Sequence, residues 1–182
     1  MSLNTRNTRH ARFAVGELSM ADADIAAQVH RVGRRAYAVE AELIGFAGIP
    51  ALRESLAELR AQPLRWLGAL DEGGRVAAFV AWDEPGGESA VDIHRVCVDP
   101  ARFRHGLASR LLRHLLTELA PAGDALVSTG ADNRPAVRLY ERLGFVRVGT
   151  FEPVPGLSLA RFRLVREATG EPHSTVAEVA HP

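Results

Sequence analysis

Val91–Leu112 reads VDIHRVCVDPARFRHGLASRLL, and the change of period inside it decides the fold. Ser89 through Val98 has the pattern of a long strand, stopped by Asp99-Pro100. A loop of Arg, His and Gly follows. From there Leu107, Leu111, Leu115 and Leu119 recur every four residues, flanked by Ala108, Leu112 and Leu116. Arg110, Arg113, His114, Thr117 and Glu118 fall opposite, so this is an amphipathic helix.

Upstream, Arg12–Leu18 predicts a first strand, and Asp22 or Asp24 a cap for a helix through Ile25, Val29, Val32 and Ala36, with Tyr37 beyond it. A second helical stretch holds Leu52, Leu56 and Leu59, introduced by Pro50 and stopped before Pro63. Trp66–Leu70 and Val76–Trp82 flank Asp71-Glu72-Gly73-Gly74, a hairpin with a four-residue connection, and a Pro85–Gly87 loop leads to the long strand. Downstream, Ala125–Thr129 is a short apolar strand. A helix follows with Pro135 in its first turn, Asp132 or Asn133 as cap and Gly144 as stop. Phe145–Phe151 and Leu157–Val165 close the domain around a Pro153–Gly156 loop. The order predicts one mixed α/β domain over 12–166, with a disordered 1–11 and a flexible 167–182 tail.

Composition narrows the function. A chain of 182 residues, 47% hydrophobic and 24% charged, suits one globular domain. Lys+Arg and Asp+Glu number 22 each, a balance that argues against coating nucleic acid or an anionic membrane. The single Cys97 excludes an internal disulfide and a Cys-based zinc framework, and reads as a buried small hydrophobe. His94, His105 and His114 lack a ligand spacing, so no metal is expected. Met1–Arg12 lacks the apolar core of a signal peptide, and no apolar run approaches the roughly 18–20 residues of a membrane span, so a cytoplasmic location is expected.

The loop before Leu107 carries the first chemical signal. A helix start offers amide N–H groups without intrahelical partners and the positive end of the dipole. Gly106 and Ala108 would let a pyrophosphate approach the backbone, and Arg102, Arg104 and His105 add positive charge. Taken alone, a tight helix start explains the same residues. Asn133–Phe145, NRPAVRLYERLGF, is narrower: Asn, Ala, Leu-Tyr and Gly-Phe stand at fixed spacing.

Together the two stretches resemble motifs A and B of the GNAT superfamily of acyl-CoA-dependent N-acetyltransferases. The first is similar to the pyrophosphate loop Gln/Arg-x-x-Gly-x-Gly/Ala, and the second to Asn-x-x-Ala-x-x-Leu-Tyr-x-x-x-Gly-Phe. Phe103 stands where the family has Gln or Arg, a departure that leaves the loop's amides untouched. The resemblance covers roughly 91–151 and implies a three-layer fold. Its central sheet is mixed, mostly antiparallel and splayed between the fourth and fifth strands, with helices on both faces.

The resemblance also implies roles. Acetyl-CoA would be the co-substrate, its pyrophosphate held by the loop from Phe103 through Arg104, His105, Gly106, Leu107 and Ala108, with the Ser109 hydroxyl assisting. Backbone groups of Cys97 and Val98 would pair with the pantetheine arm, and Asn133 would contact the arm or a water. An amine of a small molecule or peptide would attack the thioester directly in a ternary complex. The oxyanion needs a donor, for which the Val98 amide is placed, and the leaving thiolate a proton, for which Tyr140 is the choice. Asp92 aligns with the family's base, His94 is a second candidate on the same strand face, and Glu88 and Glu40 are weaker ones. The first two helices and the closing strands build the family's acceptor pocket, here Arg35, Tyr37, Glu40, Glu42 and Phe46 with the Pro153–Gly156 loop. Pairing of two chains through the closing strands is also implied. Two other classes stay open at this point. One is a non-catalytic acyl-CoA sensor; the other is a nucleotide-binding α/β protein, disfavoured because neither a P-loop nor Gly-x-Gly-x-x-Gly is present.

Overall fold

A computed structural model describes residues 12–83 and 90–166. The strand expected from Arg12 begins at Ala14, and β1 (Ala14–Glu17) leads into α1 (Ala23–Ile44). Asp22, rather than Asp24, caps α1 by accepting from the Asp24 and Ile25 amides at 2.9 and 3.1 Å. The helix does not end before Tyr37. It continues to Gly45, whose left-handed φ of 67° stops it. Tyr37, Glu40 and Ile44 thereby share one helical face instead of lying on a loop.

The second helical stretch divides. Pro50–Leu52 makes one 3-10 turn, and α2 spans only Leu56–Arg60. Ser55 and Glu58 form a reciprocal capping box that sets this later start. β2 (Arg65–Leu70) and β3 (Val76–Trp82) form the hairpin, with a register shift at Ala69/Leu70 and a connection one residue longer than expected. The turn is closed by the Asp71 amide donating to Arg75 O at 2.9 Å.

After β4 (Val91–Val98), α3 (Leu107–His114) continues into a π turn over Leu115–Leu119. There the Thr117 hydroxyl takes the Arg113 carbonyl that a regular turn would give to an amide. β5 (Ala125–Gly130), α4 (Arg134–Arg142), β6 (Val146–Val154) and β7 (Leu157–Leu164) complete the chain. The predicted Pro153–Gly156 loop is shorter: Pro153 lies in β6, and Pro155-Gly156 joins the strands. The loop Pro85–Gly87, the base candidate Glu88, and the segments 1–11 and 167–182 lie outside the described residues.

The strands form one sheet in the order β1-β2-β3-β4-β5-β7-β6. Among the described residues only β4 and β5 are parallel, and they pair only at Val91↔Ala125, Asp92↔Leu126 and Ile93↔Val127. Beyond Ile93 the two strands part. The expected mixed sheet, splayed between its fourth and fifth strands, is what the chain adopts.

Apolar burial fixes both faces. Val29 and Val32 of α1 and Leu59 of α2 pack on Trp66, Phe79 and Cys97. Leu111, Leu112 and Leu115 pack with Tyr140, Phe145, Trp82 and Phe162 on the opposite face. Phe79, Trp82 and Phe162 are fully buried, each contributing about 1.5–3 kcal/mol of transfer free energy. Gly33 lets α1 approach β3 closely, since a Cβ there would sit 3.4 Å from the Phe79 ring.

Candidate active site

The loop between β4 and α3 is braced by its own polar residues. Asp99 accepts from the Ala101 amide at 3.0 Å, capping the turn Pro100–Arg102, and binds Arg35 of α1 at 2.9 Å. Arg102 reaches Asp71 at 3.1 Å and lies over the Phe13 ring. The His105 ring stands edge-on to Phe13, with Nδ1 3.0 Å from the Phe103 carbonyl oxygen. Arg102 and His105 thus hold the loop in place rather than presenting free charge. Arg35, expected in the acceptor pocket, belongs to this brace.

What the loop presents outward is different. Phe103, Arg104, His105 and Gly106 are exposed, and Arg104 has no ion-pair partner among the described residues. Arg104 and Gly106 both adopt left-handed φ, 67° and 69°. For Arg104 that conformation costs about 1–2 kcal/mol. Gly106 caps α3 without a side-chain hydrogen bond, and the first helical return is the Arg110 amide to Gly106 O at 3.0 Å. The amides of Leu107, Ala108 and Ser109 therefore precede the helical ladder with no side-chain acceptor.

The edge of β4 runs straight into this loop. Arg95, Val96, Cys97 and Val98 pair with β3 on one side, while pairing with β5 on the other ended at Ile93. Their second edge has no strand partner. The Cys97 side chain points into the α1 face and is buried. Burial pushes its thiol up to about 12, against a hydrogen bond from Tyr37 and the nearby Arg95 guanidinium, which favour ionisation. It is a packed thiol, as the sequence suggested.

Where β4 and β5 part, a cavity of about 760 Å³ opens. Its walls bring together Tyr37 and Glu40 of α1, Asp92 and His94 of β4, Asn133 at the cap of α4 and Tyr140 within it. The loop residues from Phe103 to Ser109, with Cys97 and Val98, lie outside this lining, as do Glu42 and Phe46 of the expected acceptor pocket. The fold thus separates the phosphate-type loop from the reactive side chains and connects them by the open β4 edge.

Asp92 and His94 do not form the simple pair that strand alternation predicts. Ala81 pairs with Arg95 and Trp82 with Ile93, so His94 is the extra residue of a bulge. Its imidazole faces Asp83 at 3.4 Å, with both side chains nearly half exposed. Asp92 meets Arg161 of β7 at 3.3 Å. The bulge also turns Arg95 and Cys97 to the α1 face, where Ile93 is not. Arg95 there makes a two-pronged contact with Glu54, 2.8 Å on each nitrogen, and Gln62 donates to the same carboxylate. Sequence reading missed Glu54, Arg95 and Arg161, because no periodicity marks two distant residues as partners.

Glu40 is held differently. Its Oε1 accepts from the Thr129 hydroxyl at 3.0 Å and from the Gly130 amide at 3.1 Å. Thr129 in turn accepts from the Asn133 amide group at 3.2 Å, and Asn133 Oδ1 caps α4 through the Ala136 amide at 3.3 Å. Asn133, not Asp132, is the cap, and both ends of its side chain are engaged within the protein. Tyr140 packs against Phe145 and Phe162, 5.9 and 5.7 Å between ring centres, and lines the cavity. Burial first, then the Glu40 and Cys97 charges, raise the phenol well above its ordinary range, so it stays protonated.

The sheet is thus parted between two parallel strands, with an uncapped helix start on one side and a tyrosine on the other. Residues 46–145 match the Acetyltransferase (GNAT) family, and the chain belongs to it. It is 33% identical over 143 residues to UPF0157 protein YqkA of Bacillus subtilis, covering 79% of this chain and 41% of that protein. It is 38% identical over 82 residues to the ribosomal protein bS18-alanine N-acetyltransferase of Escherichia coli K12, 42% of this chain and 51% of that one. The chain spans about half or less of the curated relatives it matches first. Among solved structures, the Escherichia coli ribosomal-protein-S18-alanine N-acetyltransferase superposes with TM-score 0.67 at 20% identity, covering 88% and 98% of the two chains. PaiA N-acetyltransferase of Thermoplasma acidophilum in complex with coenzyme A gives 0.64 at 12% identity, covering 85% and 99%. Among the described residues no group of His, Cys, Asp and Glu could hold a metal ion, and no helix is long and apolar enough to cross a membrane.

Proposed function

We propose that the chain is an N-acetyltransferase that moves an acetyl group from acetyl-CoA to an amine bound in the same complex. The observation that carries this reading is the alignment of three features: the uncapped start of α3, the unpaired edge of β4, and the cavity walled by Tyr140. The amides of Arg104 through Ala108 supply the pyrophosphate donors, with the Ser109 hydroxyl beside them and Arg104 as the free cation. Phe103 contributes only main chain at the position where the family carries a polar residue.

Cys97 and Val98 offer the pantetheine arm a strand edge, and the Val98 amide is the donor for the oxyanion. Tyr140, protonated and sheltered, is the acid for the departing sulfur. Asn133 acts mainly by fixing the β5–α4 corner that carries Tyr140. The relatives named for acetylating an alanine amine support an amine acceptor, of a peptide or a small molecule.

The test is calorimetry followed by turnover. Folded protein is expected to bind coenzyme A and acetyl-CoA, and Tyr140→Phe is expected to bind equally while losing about 10²-fold or more in transfer rate. Binding without turnover in either protein supports the sensor class instead, and no heat on titration refutes both.

A further inference from the structure

We infer that Glu40 is the group that receives the acceptor amine and takes its proton, and that the acceptor therefore carries one positive charge at the site. The inference rests on the acetyltransferase reading above. It begins with the charges around the cavity. The lining carries four carboxylates, Glu40, Glu54, Glu58 and Asp92. Glu54 is neutralised by Arg95 on both oxygens, and Asp92 is met by Arg161. Glu58 is turned to its own helix, accepting from the Ser55 amide and hydroxyl at 2.7 Å.

Among the described residues neither Glu40 nor Glu58 has a cation, but Glu58 is exposed, where water screens it, so Glu40, held by neutral donors, is the sheltered carboxylate of the wall without one. Both donors meet Oε1, which leaves Oε2 free to face a ligand. Tyr37 on its own helix, Cys97 on β4 and Tyr140 on α4 lie within electrostatic reach of it. Arg95, the nearby guanidinium, is occupied by Glu54.

An incoming ammonium completes this arrangement. A single cation finds one sheltered uncompensated carboxylate, whereas the second and third charges of a polyamine find acids that are paired with arginines or screened by solvent. Glu40 and Tyr140 line the same cavity and lie within electrostatic reach of each other, so amine and acid meet in one space. In the transfer, the amine nitrogen bonds to the thioester carbonyl carbon and the carbon–sulfur bond breaks. The bound ammonium first gives one proton through Glu40 to water, which frees the lone pair. After attack the nitrogen sheds its second proton to Glu40 while the sulfur takes a proton from Tyr140. That second proton, relayed through water, restores Tyr140 and leaves Glu40 ionised. Asp92 and His94, the strand candidates, are each engaged with a charged neighbour and are not required as bases.

The wild-type protein, with acetyl-CoA, is assayed on monoamines and amino-terminal peptides against spermidine and an aminoglycoside. Monocationic acceptors are expected to show a kcat/KM at least tenfold higher than either polycation. Glu40→Gln, which keeps an oxygen for Thr129 and Gly130, is expected to bind coenzyme A unchanged, to raise KM for the amine and to lower kcat about 10²-fold. Equal or better use of polycations by the wild type overturns the inference even if the variant fails to fold. So does a folded Glu40→Gln with turnover within threefold of wild type. A wild type that binds coenzyme A and acetylates nothing in either class overturns the acetyltransferase reading itself, a distinct result.

Discussion

The Thr129 hydroxyl donates to Glu40 Oε1 at 3.0 Å, tying α1 to β5 at the point where β5 leaves β4. This one bond joins the cavity's free carboxylate to the strand that carries the α4 corner. The Gly130 amide and the Asn133 side chain extend it, so the placement of Glu40 and of Tyr140 depends on the same few atoms.

Thr129→Val keeps the shape and removes that donor and acceptor. It leaves the Asn133 amide without its partner in a buried setting. The expected loss is about 1–3 kcal/mol of stability, read as a lower denaturation midpoint at unchanged m-value.

Gly130 is required by crowding, not by backbone angle. A Cβ there would stand 2.6 Å from Ile44 Cγ2 and 3.4 Å from Glu40 Oε1. Gly130→Ala is expected to destabilise by about 1–3 kcal/mol. Adding Ile44→Ala, which removes Cγ2, is expected to recover part of it, and a double-mutant cycle measures the coupling.

At the loop, the requirement is conformational. A Cβ on Gly106 would meet nothing within 4 Å, yet its φ of 69° disfavours any other residue. Gly106→Ala is expected to cost about 1–2 kcal/mol and to weaken coenzyme A binding, because relief of the strain rotates the amides ahead of α3. Arg104→Gly relieves the same kind of strain two residues earlier. It is expected to leave stability equal or higher while weakening binding through loss of a cation, which calorimetry at two salt concentrations separates.

Glu54 and Arg95 are largely buried, with side chains 11% exposed each. Glu54→Gln leaves a guanidinium without its counter-charge and is expected to destabilise by about 3 kcal/mol, whereas Glu54→Gln with Arg95→Met recovers most of it. Thermal melts of the two single variants and the double decide the matter.

Cys97 gives a pH signature. Its folded thiol lies at about 12, raised by burial from 9.0. Between those values the native state holds a proton that the unfolded chain releases, so stability falls as pH rises above 9. Tyr37 and Tyr140, also raised by burial, add to the decline at higher pH. Cys97→Val is expected to flatten the first part of that slope, and in wild type a thiol reagent at pH 8 is expected to label only unfolded protein.

Local patterns were enough for the strands, for the four-residue leucine repeat of α3, and for the two motifs that place Gly106 at a helix start and Tyr140 on a helix behind Asn133. Each of these rests on neighbours in the chain, whose spacing sets which side chains share a face. The length of α1 was not legible, since Gly45 stops the helix only where its φ is free to turn, and that extension is what brings Tyr37 and Glu40 to the cavity. Nor was the bulge at His94, which reverses the faces of Arg95 and Cys97 through pairing with β3. The pairings Glu54 with Arg95, Asp92 with Arg161 and Glu40 with Thr129 join residues 41, 69 and 89 positions apart. Only folding brings such groups within hydrogen-bond range, and it is those contacts that leave Glu40 as the sheltered carboxylate of the cavity without a cation among the described residues.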